Sequence, residues 1–198
     1  MKLYFVTSSE NKIDEVAAYF AGKGEADNAR LTFCPVRHDV QEIMHPELEA
    51  VVRSKALEAY KYLRQPCVVE HGGLFFEGLR ELPGPLGKII WNAVGERMCA
   101  FLREGDSRQA VARAILGYCD GKQITLYRGE TRGEVARVAR GDYNRHNWDP
   151  IFIPEGSDMT YGEMGAEGKQ LTSPMLRAWE SFLTTEFPTG ATATWKRA

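Results

Sequence analysis

An acid and an imidazole, Glu70 and His71, stand side by side after a short apolar run. Two glycines follow them, so we predict that a buried strand ends here and that the chain turns sharply at 71–73. A carboxylate can bind a metal ion or orient water, and a neutral imidazole can accept a proton. The pair is a candidate catalytic site, and His71 either performs chemistry or marks a site that only binds.

A polar segment, TSSENK at 7–12, follows the first predicted strand and opens a predicted helix. The free backbone N–H groups and the positive end of a helix favour a phosphate at such a junction, and a lysine adds a positive charge. The alternative is a helix cap formed by Ser8 or Ser9, with a solvated lysine. The candidate phosphate contacts here are Thr7, Ser8, Asn11 and Lys12.

A second glutamate, Glu42, precedes a strong predicted helix that carries Lys55 near its middle. Together with Glu70 it could hold Mg²⁺, which takes oxygen ligands and keeps several waters that a triphosphate can replace. The alternative is that each glutamate is an ordinary exposed side chain. A transition-metal site is also conceivable, although its spacing matches no standard pattern. Its members would be Cys34, His38, His45 and His71.

Two further clusters lie in the C-terminal half. The segment HNWDPIF at 146–152 places Trp148 and Asp149 before a proline-bounded strand, and the alternative is a core indole with a turn aspartate. In GKQLTSPMLRA at 168–178, charged side chains flank a helix start, and the alternative is a solvated surface helix. The candidate residues of these clusters are His146, Trp148, Asp149, Lys169, Ser173 and Arg177.

Composition narrows the class of protein. The chain has 198 residues, of which 43% are apolar, enough for one medium or two-lobed domain with its own core. With 25 basic and 27 acidic residues the formal charge is −2, so neither nucleic-acid nor membrane-surface binding is favoured. Four cysteines without a C-x-x-C pair are typical of reduced thiols, and no apolar run suits a signal peptide or a membrane span. We therefore expect a cytoplasmic protein.

The order of elements along the chain predicts an α/β fold. Strands alternate with helices at first, and an Asp120-Gly121 turn later joins two strands as a hairpin. The predicted strands are 2–7, 31–36, 66–70, 110–118 and 123–127, and the predicted helices are 10–20, 45–63, 88–94, 97–103 and one ending at 183. Together they indicate a mixed sheet with flanking helices. Residues 184–198 are polar and turn-rich, and we expect a loose tail or a partner-contacting arm.

The order of the motifs carries more information than any one of them. The chain contains T-x-x-x-N-K, a Glu before a helix with a central Lys, VVE-x-G-G-L with LPGP, WDPIFIPEG, TYGEM, and a Lys before a Ser. In this order the motifs resemble the inosine triphosphate pyrophosphatase family over about residues 2–183, and LPGP and WDPIFIPEG are the most specific. The family converts deaminated purine triphosphates such as ITP, dITP and XTP to monophosphate and pyrophosphate.

The resemblance implies a fold and a set of contacts. The fold is a two-lobed α/β structure with an elongated mixed sheet, flanking helices and a central nucleotide cleft, formed here by residues 1–183 and usually assembled as a homodimer. Glu42 and Glu70 would help to hold Mg²⁺. Lys12, Lys55 and Asn11 would contact the phosphates, and Trp148, Asp149 and Lys169 would line the base pocket. The predicted nucleotide contacts are completed by Thr7, Ser8, His146, Ser173 and Arg177.

Several positions depart from the family pattern. The aspartate that the family has after the first glutamate is His71 here, and an imidazole is a poor ligand for Mg²⁺ because this ion prefers oxygen. The family's Phe-Gly-Trp-Asp is His-Asn-Trp-Asp at 146–149, its Ser-His-Arg is Ser-Pro-Met at 173–175, and its Thr-Gly-Asn is Thr-Ser-Ser at 7–9. Losing a positioned acid–base group costs on the order of 10² to 10⁴ in rate, so the sequence predicts a weakened metal site and slow hydrolysis or none.

Two hypotheses follow from these departures. In the first, the chain binds a purine nucleoside triphosphate such as dITP or ITP without appreciable hydrolysis. It then acts as a sensor or regulatory subunit for a partner effector protein, and antiviral defence is one setting for such a sensor. In the alternative, it is an active Mg²⁺-dependent nucleoside triphosphate pyrophosphatase with altered base preference, in which His71 and Glu70 carry the chemistry.

Overall fold

One mixed sheet runs through the residues that the computed structural model describes, which are 2–22, 31–142, 147–187 and 193–195. Its strands are β1 (Lys2–Val6), β2 (Leu31–Val36), β3 (Cys67–Phe76), β4 (Pro83–Gly84), β5 (Gln109–Cys119), β6 (Ile124–Val135), β7 (Phe152–Pro154) and β8 (Ala193–Trp195). The helices are α1 (Glu10–Gly22), α2 (Leu48–Leu63), α3 (Gly87–Val94), α4 (Tyr161–Gln170) and α5 (Pro174–Glu186). The strand order is β7-β6-β5-β3-β1-β2-β8, and β4 pairs with β3 beside this path.

The sheet combines parallel and antiparallel pairing. β1 lies between β2 and β3 and is parallel to both, as expected where helices connect the strands. The long strands β3, β5 and β6 pair antiparallel with one another, and a tight turn at Asp120-Gly121 joins β5 to β6. The predicted α/β fold with a mixed sheet and a hairpin in its second half is confirmed.

Three apolar clusters hold the helices to the sheet. On one face α1 and α5 pack around Trp179, whose ring makes edge contacts with Phe5 and Phe33. On the other face the small and β-branched residues of α2 pack against β3 and β5. The third cluster lies at the far end of β3 and β5, where Phe76 and Trp91 are buried with Tyr161 of α4. The strands β3 and β5 therefore contribute residues to all three clusters.

The predicted turn at 71–73 is wrong, because β3 continues through these residues to Phe76. Gly73 has a different role. A Cβ atom there would lie 2.5 Å from the carbonyl oxygen of Gly84, so only glycine lets β4 lie directly on β3. Glu70 and His71 consequently lie within a long buried strand, and their side chains point to opposite faces of the sheet.

Other boundaries shift by a few residues. The helix predicted at 45–63 begins at Leu48, and the segment predicted as helix at 97–103 is a 3-10 helix at Gly95–Phe101. The last helix runs to Glu186, and β8 adds to the edge of β2 within the stretch expected to be a loose tail. In the part of the chain that is described, no helix has the length and apolar character needed to cross a membrane.

Candidate active site

A cleft of about 350 Å³ lies between the start of α1, the centre of β3 and the α4–α5 region. It brings together most of the residues predicted from sequence. Those that line it are Thr7, Ser8, Asn11, Lys12, Glu42, Lys55, Glu70, His71, Trp148, Asp149, Lys169 and Ser173. Segments separated by more than 150 residues in sequence thus meet at one place.

Two predicted nucleotide contacts are not among these lining residues. Arg177 is exposed on α5, and its Nη1 donates to the backbone oxygen of Glu130 at 2.6 Å. This bond ties the guanidinium to β6, so Arg177 supports the helix and does not face the cleft. His146 lies outside the described residues.

The start of α1 forms one wall of the cleft. The backbone N–H of Ser9 donates to Thr7 Oγ1 at 3.2 Å, and the hydroxyl of Ser8 donates to Asp39 at 3.1 Å. Ser8 is therefore tied to the neighbouring loop and does not cap α1. The wall carries the positive end of a helix of 13 residues, which favours an anion.

Two lysines meet two glutamates beside this wall. The Nζ atom of Lys12 is 2.5 Å from Glu70 Oε2, and the Glu70 side chain is only 2% exposed. Lys55 forms an ion pair with Glu42 Oε1 and also donates to the backbone oxygen of Glu70 at 3.2 Å. Burial and the nearby charge of Lys12 lower the pKa of Lys55, while the two carboxylates oppose this shift.

His71 is held at both ring nitrogens. Nδ1 is 3.3 Å from Glu42 Oε2, and Nε2 is 2.9 Å from the backbone oxygen of Pro85, which follows β4. Burial acts to raise the pKa of Glu42, but the hydrogen bond from His71 and the charge of Lys55 together hold it well below its usual value. Glu42 is therefore a carboxylate throughout the physiological range, with a nitrogen against each oxygen.

The opposite end of the cleft has a second buried ion pair. Lys169 Nζ lies 2.9 and 3.1 Å from the two carboxylate oxygens of Asp149, and 3.7 Å from Glu15. Burial opposes the charge of Lys169, yet Asp149 and Glu15 raise its pKa above the ordinary lysine value. Asn147 fixes Asp149 by donating from its amide at 3.0 Å, and Ser173 donates to Glu15.

An aromatic wall supports this end. The Trp148 ring packs edge-on against Phe152 and lies 6.4 Å from the ring of Tyr161. The Lys169 ammonium lies 5.5 Å from the Tyr161 ring centre, so the cation is placed by aromatic as well as acidic neighbours. The indole therefore both belongs to the core and faces the cleft, which combines the two interpretations of Trp148.

Sequence reasoning missed four charged residues in the lining: Glu15, Asp39, Lys88 and Arg113. Glu15 lies three residues after Lys12 on one helix, so helical spacing could have indicated that both face the same side. Arg113 is adjacent to the cleft because β5 pairs with β3 in a register that places it opposite Gly73. That register is a long-range property with no local signal.

The donor set does not fit a resident Mg²⁺ ion, which requires several oxygen ligands. Three of the four carboxylate oxygens of Glu42 and Glu70 already face nitrogen atoms, from Lys55, His71 and Lys12. Among the described side chains, no group of three or more His, Cys, Asp or Glu is arranged to hold a metal ion. The four residues considered for a transition-metal site, Cys34, His38, His45 and His71, therefore do not form one.

Comparison with known proteins gives one consistent result. A model of the Ham1 family matches residues 3–185. A dITP/XTP pyrophosphatase of Methanopyrus kandleri is 34% identical over 186 residues, which cover 92% of this chain and 94% of that protein. An inosine triphosphate pyrophosphatase of Trypanosoma cruzi is 34% identical over 180 residues, covering 89% of this chain and 88% of that one.

Solved structures show the same fold. A HAM1 protein of Coxiella burnetii matches with a TM-score of 0.74 at 21% identity, covering 95% of this chain and 100% of that one. A nucleoside-triphosphatase, or dITP/XTP pyrophosphatase, of Mycobacterium abscessus matches with a TM-score of 0.67 at 24% identity, covering 94% and 100%. The predicted two-lobed fold with an elongated mixed sheet is confirmed.

Proposed function

Because the chain belongs to the Ham1 family, we propose that it binds a purine nucleoside triphosphate and cleaves it to the nucleoside monophosphate and pyrophosphate. The observation that carries the proposal is the division of one cleft into two ends. One end has two lysine–glutamate pairs, each with one buried partner, beside a helix N-terminus, and the other has a largely buried Asp149–Lys169 pair beside an indole. The relatives named dITP/XTP pyrophosphatase support the same function.

The first end suits the triphosphate. Lys12 and Lys55 each have an ammonium group in the cleft, and the N-terminus of α1 adds backbone N–H groups. Lys88 lines the same cleft and has no ion pair within the described residues. Phosphate oxygens can therefore replace the glutamates as partners of the lysines.

The second end suits a 6-oxopurine, the class to which hypoxanthine and xanthine belong. Lys169 can donate to the 6-oxo group, and the carboxylate of Glu15 can accept from the neighbouring ring N–H. Adenine has the opposite pattern at these two atoms, so a buried polar group would be left unpaired. These two contacts select 6-oxopurine nucleotides, such as ITP, dITP and XTP, against adenine nucleotides.

Cleavage requires water to attack the α-phosphorus while the bond to the β-phosphate oxygen breaks. Pyrophosphate leaves with that oxygen, and the proton of the water passes to a base. Glu70 is the group best placed to orient this water. Its buried carboxylate extends from β3, lines the cleft and contacts Lys12. Lys12 and Lys55 neutralise charge on the phosphates as the bond breaks.

The test is product analysis by ion-exchange chromatography with Mg²⁺ and a panel containing ITP, dITP, XTP and ATP. We expect monophosphate plus pyrophosphate from the 6-oxopurine nucleotides. The proposal fails if none of these nucleotides is cleaved to monophosphate and pyrophosphate.

A second candidate function is nucleotide binding without turnover, in which the chain is a sensor for an effector protein. The observation that favours it is that His71 replaces the aspartate expected from the family, while both ring nitrogens already face acceptors. No free nitrogen then remains to accept a proton from water. The named relatives are pyrophosphatases, so catalysis is the better supported function.

The His71→Asp and His71→Ala variants separate the two functions. If the chain is a sensor, wild-type protein binds ITP in calorimetry without releasing pyrophosphate, and His71→Asp restores turnover. Wild-type pyrophosphate release that disappears in His71→Ala would rule out the sensor. Copurification of a partner chain with the tagged protein would support it.

A further inference from the structure

We infer that Gly165 is a positioning residue for base recognition, because its backbone breaks α4 and directs Lys169 into the cleft. The inference rests on the proposed nucleotide-binding function and assigns part of its base selectivity to a residue outside the cleft lining. Gly165 has φ 66° and ψ −171°, a conformation that is essentially restricted to glycine, whereas the rest of α4 is helical. It divides α4 into two short helical segments, and Lys169 lies on the second.

Two contacts across the break show that the chain folds back at this point. The hydroxyl of Tyr161, the first residue of α4, donates to the backbone oxygen of Thr172 at 2.9 Å. In an uninterrupted helix, residues eleven apart are separated by about 16 Å along the axis, which is much farther than a tyrosine side chain extends. A Cβ atom at Gly168 would lie only 2.9 Å from Met164 Cβ, compared with about 5–6 Å for residues four apart on a regular helix. The second segment therefore lies against the first.

This folding back decides where the ammonium group of Lys169 lies. It places the ammonium group 5.5 Å from the centre of the Tyr161 ring and 2.9 and 3.1 Å from the two carboxylate oxygens of Asp149. Both ends of α4 are anchored, the first by a capping box and the second by Thr172, whose carbonyl oxygen also accepts from the hydroxyl of Thr131 on β6. Because both ends are anchored, the angle of the break sets the position of the ammonium group.

The test replaces the glycine at the break. In Gly165→Ala the positive φ is strained, while the new methyl group meets no other atom within 4 Å, so the angle changes without a clash. The matched control is Gly95→Ala at the end of α3, which also has a positive φ, of 57°, and no atom within 4 Å, and which does not line the cleft. A second variant, Tyr161→Phe, keeps the backbone and removes the hydroxyl that bonds Thr172, so it remains informative if the alanine variant does not fold.

Two quantities are measured. The first is the preference for ITP over ATP, as the ratio of kcat/KM values and as the ratio of calorimetric Kd values. We expect Gly165→Ala to lower this preference at least about tenfold, and Tyr161→Phe about threefold, because each displaces a charged hydrogen-bond donor from the base. Gly95→Ala should leave the preference unchanged. An unchanged preference in Gly165→Ala would overturn the inference.

The second quantity is the rate of reductive methylation of Lys169 in the free protein, followed by peptide mass spectrometry with the exposed Lys122 as the reference. The Lys169 side chain is only 16% exposed, so we expect slow modification in wild type and in Gly95→Ala. In Gly165→Ala the rate should rise toward that of Lys122, and an unchanged rate would also overturn the inference. If wild type neither binds nor cleaves ITP, the proposed function fails, while the methylation rates still decide whether the break positions Lys169.

Discussion

At the scale of single residues, His71 ties two parts of the site together. Its ring joins Glu42, which precedes α2, to the backbone oxygen of Pro85 after β4. The ring can satisfy both contacts fully only as a donor at each nitrogen, because both partners are acceptors. His71 is therefore a bridge in the free protein, and Glu70 is the remaining candidate for orienting water.

The Glu70→Gln substitution tests that assignment. The amide keeps the shape of the side chain but cannot take up a proton, so we expect kcat for ITP to fall by about 10² to 10⁴ while ITP still binds. Steady-state kinetics with calorimetry measures both quantities. The control is Glu134→Gln, an exposed glutamate on β6, which should leave both unchanged. A Glu70→Gln variant with wild-type kcat would remove Glu70 from the mechanism.

Base discrimination is expected to depend on Asp149, because its carboxylate holds Lys169 in place at 2.9 and 3.1 Å. In Asp149→Asn the ammonium group is free to turn toward Glu15 and away from the base. The preference for ITP over ATP in kcat/KM should fall about 10- to 100-fold, the value of one hydrogen bond to a charged group. Asp158→Asn, at an exposed position, is the control. An unchanged preference would place base recognition elsewhere.

At the scale of elements, β3 positions the site because it is long and carries both Glu70 and Gly73. The Gly73→Ala substitution should push β4 away, since the new methyl group would lie 2.5 Å from Gly84 oxygen. We expect a loss of about 1–3 kcal/mol in the free energy of unfolding, measured by urea denaturation. Gly72→Ala is the neighbouring control, where the closest atom is a side-chain oxygen at 3.2 Å. Equal losses in both variants would contradict the proposed role of β4.

Local sequence patterns predicted most of the helices and strands. They failed where a contact with a distant strand determines the structure. Helical spacing indicated α1 and α2, and the Asp120-Gly121 signal indicated the hairpin, because each depends on neighbours in sequence. The glycines after His71 were interpreted as a turn, but they are required by the approach of β4, which is a tertiary contact. The extension of β3 to Phe76 could not be predicted from its own residues.

At the scale of the whole molecule, the cleft joins segments from nearly the full length of the chain. The resemblance to a family indicated most of its members, including Lys55 and Asp149, whereas charge and periodicity alone left each of them with an ordinary alternative. Glu15 and Arg113 were missed because no motif marks them. The ion pairs that occupy Glu42 and Glu70 depend on geometry and could not be predicted from the sequence.

The homodimer implied by the family resemblance stays a prediction. Multi-angle light scattering of the purified chain should give twice the mass of one chain, 22.3 kDa. The same result is expected across a tenfold dilution if the interface is stable. A mass of one chain at all concentrations would contradict the prediction.

We propose that this cleft cleaves a 6-oxopurine triphosphate between its α- and β-phosphates. The most direct measurement is a ³¹P NMR time course of ITP with wild-type protein and Mg²⁺. We predict that the triphosphate resonances decline while those of IMP and pyrophosphate rise in equal amounts. Unchanged ITP resonances, or the appearance of IDP with inorganic phosphate, would contradict the claim.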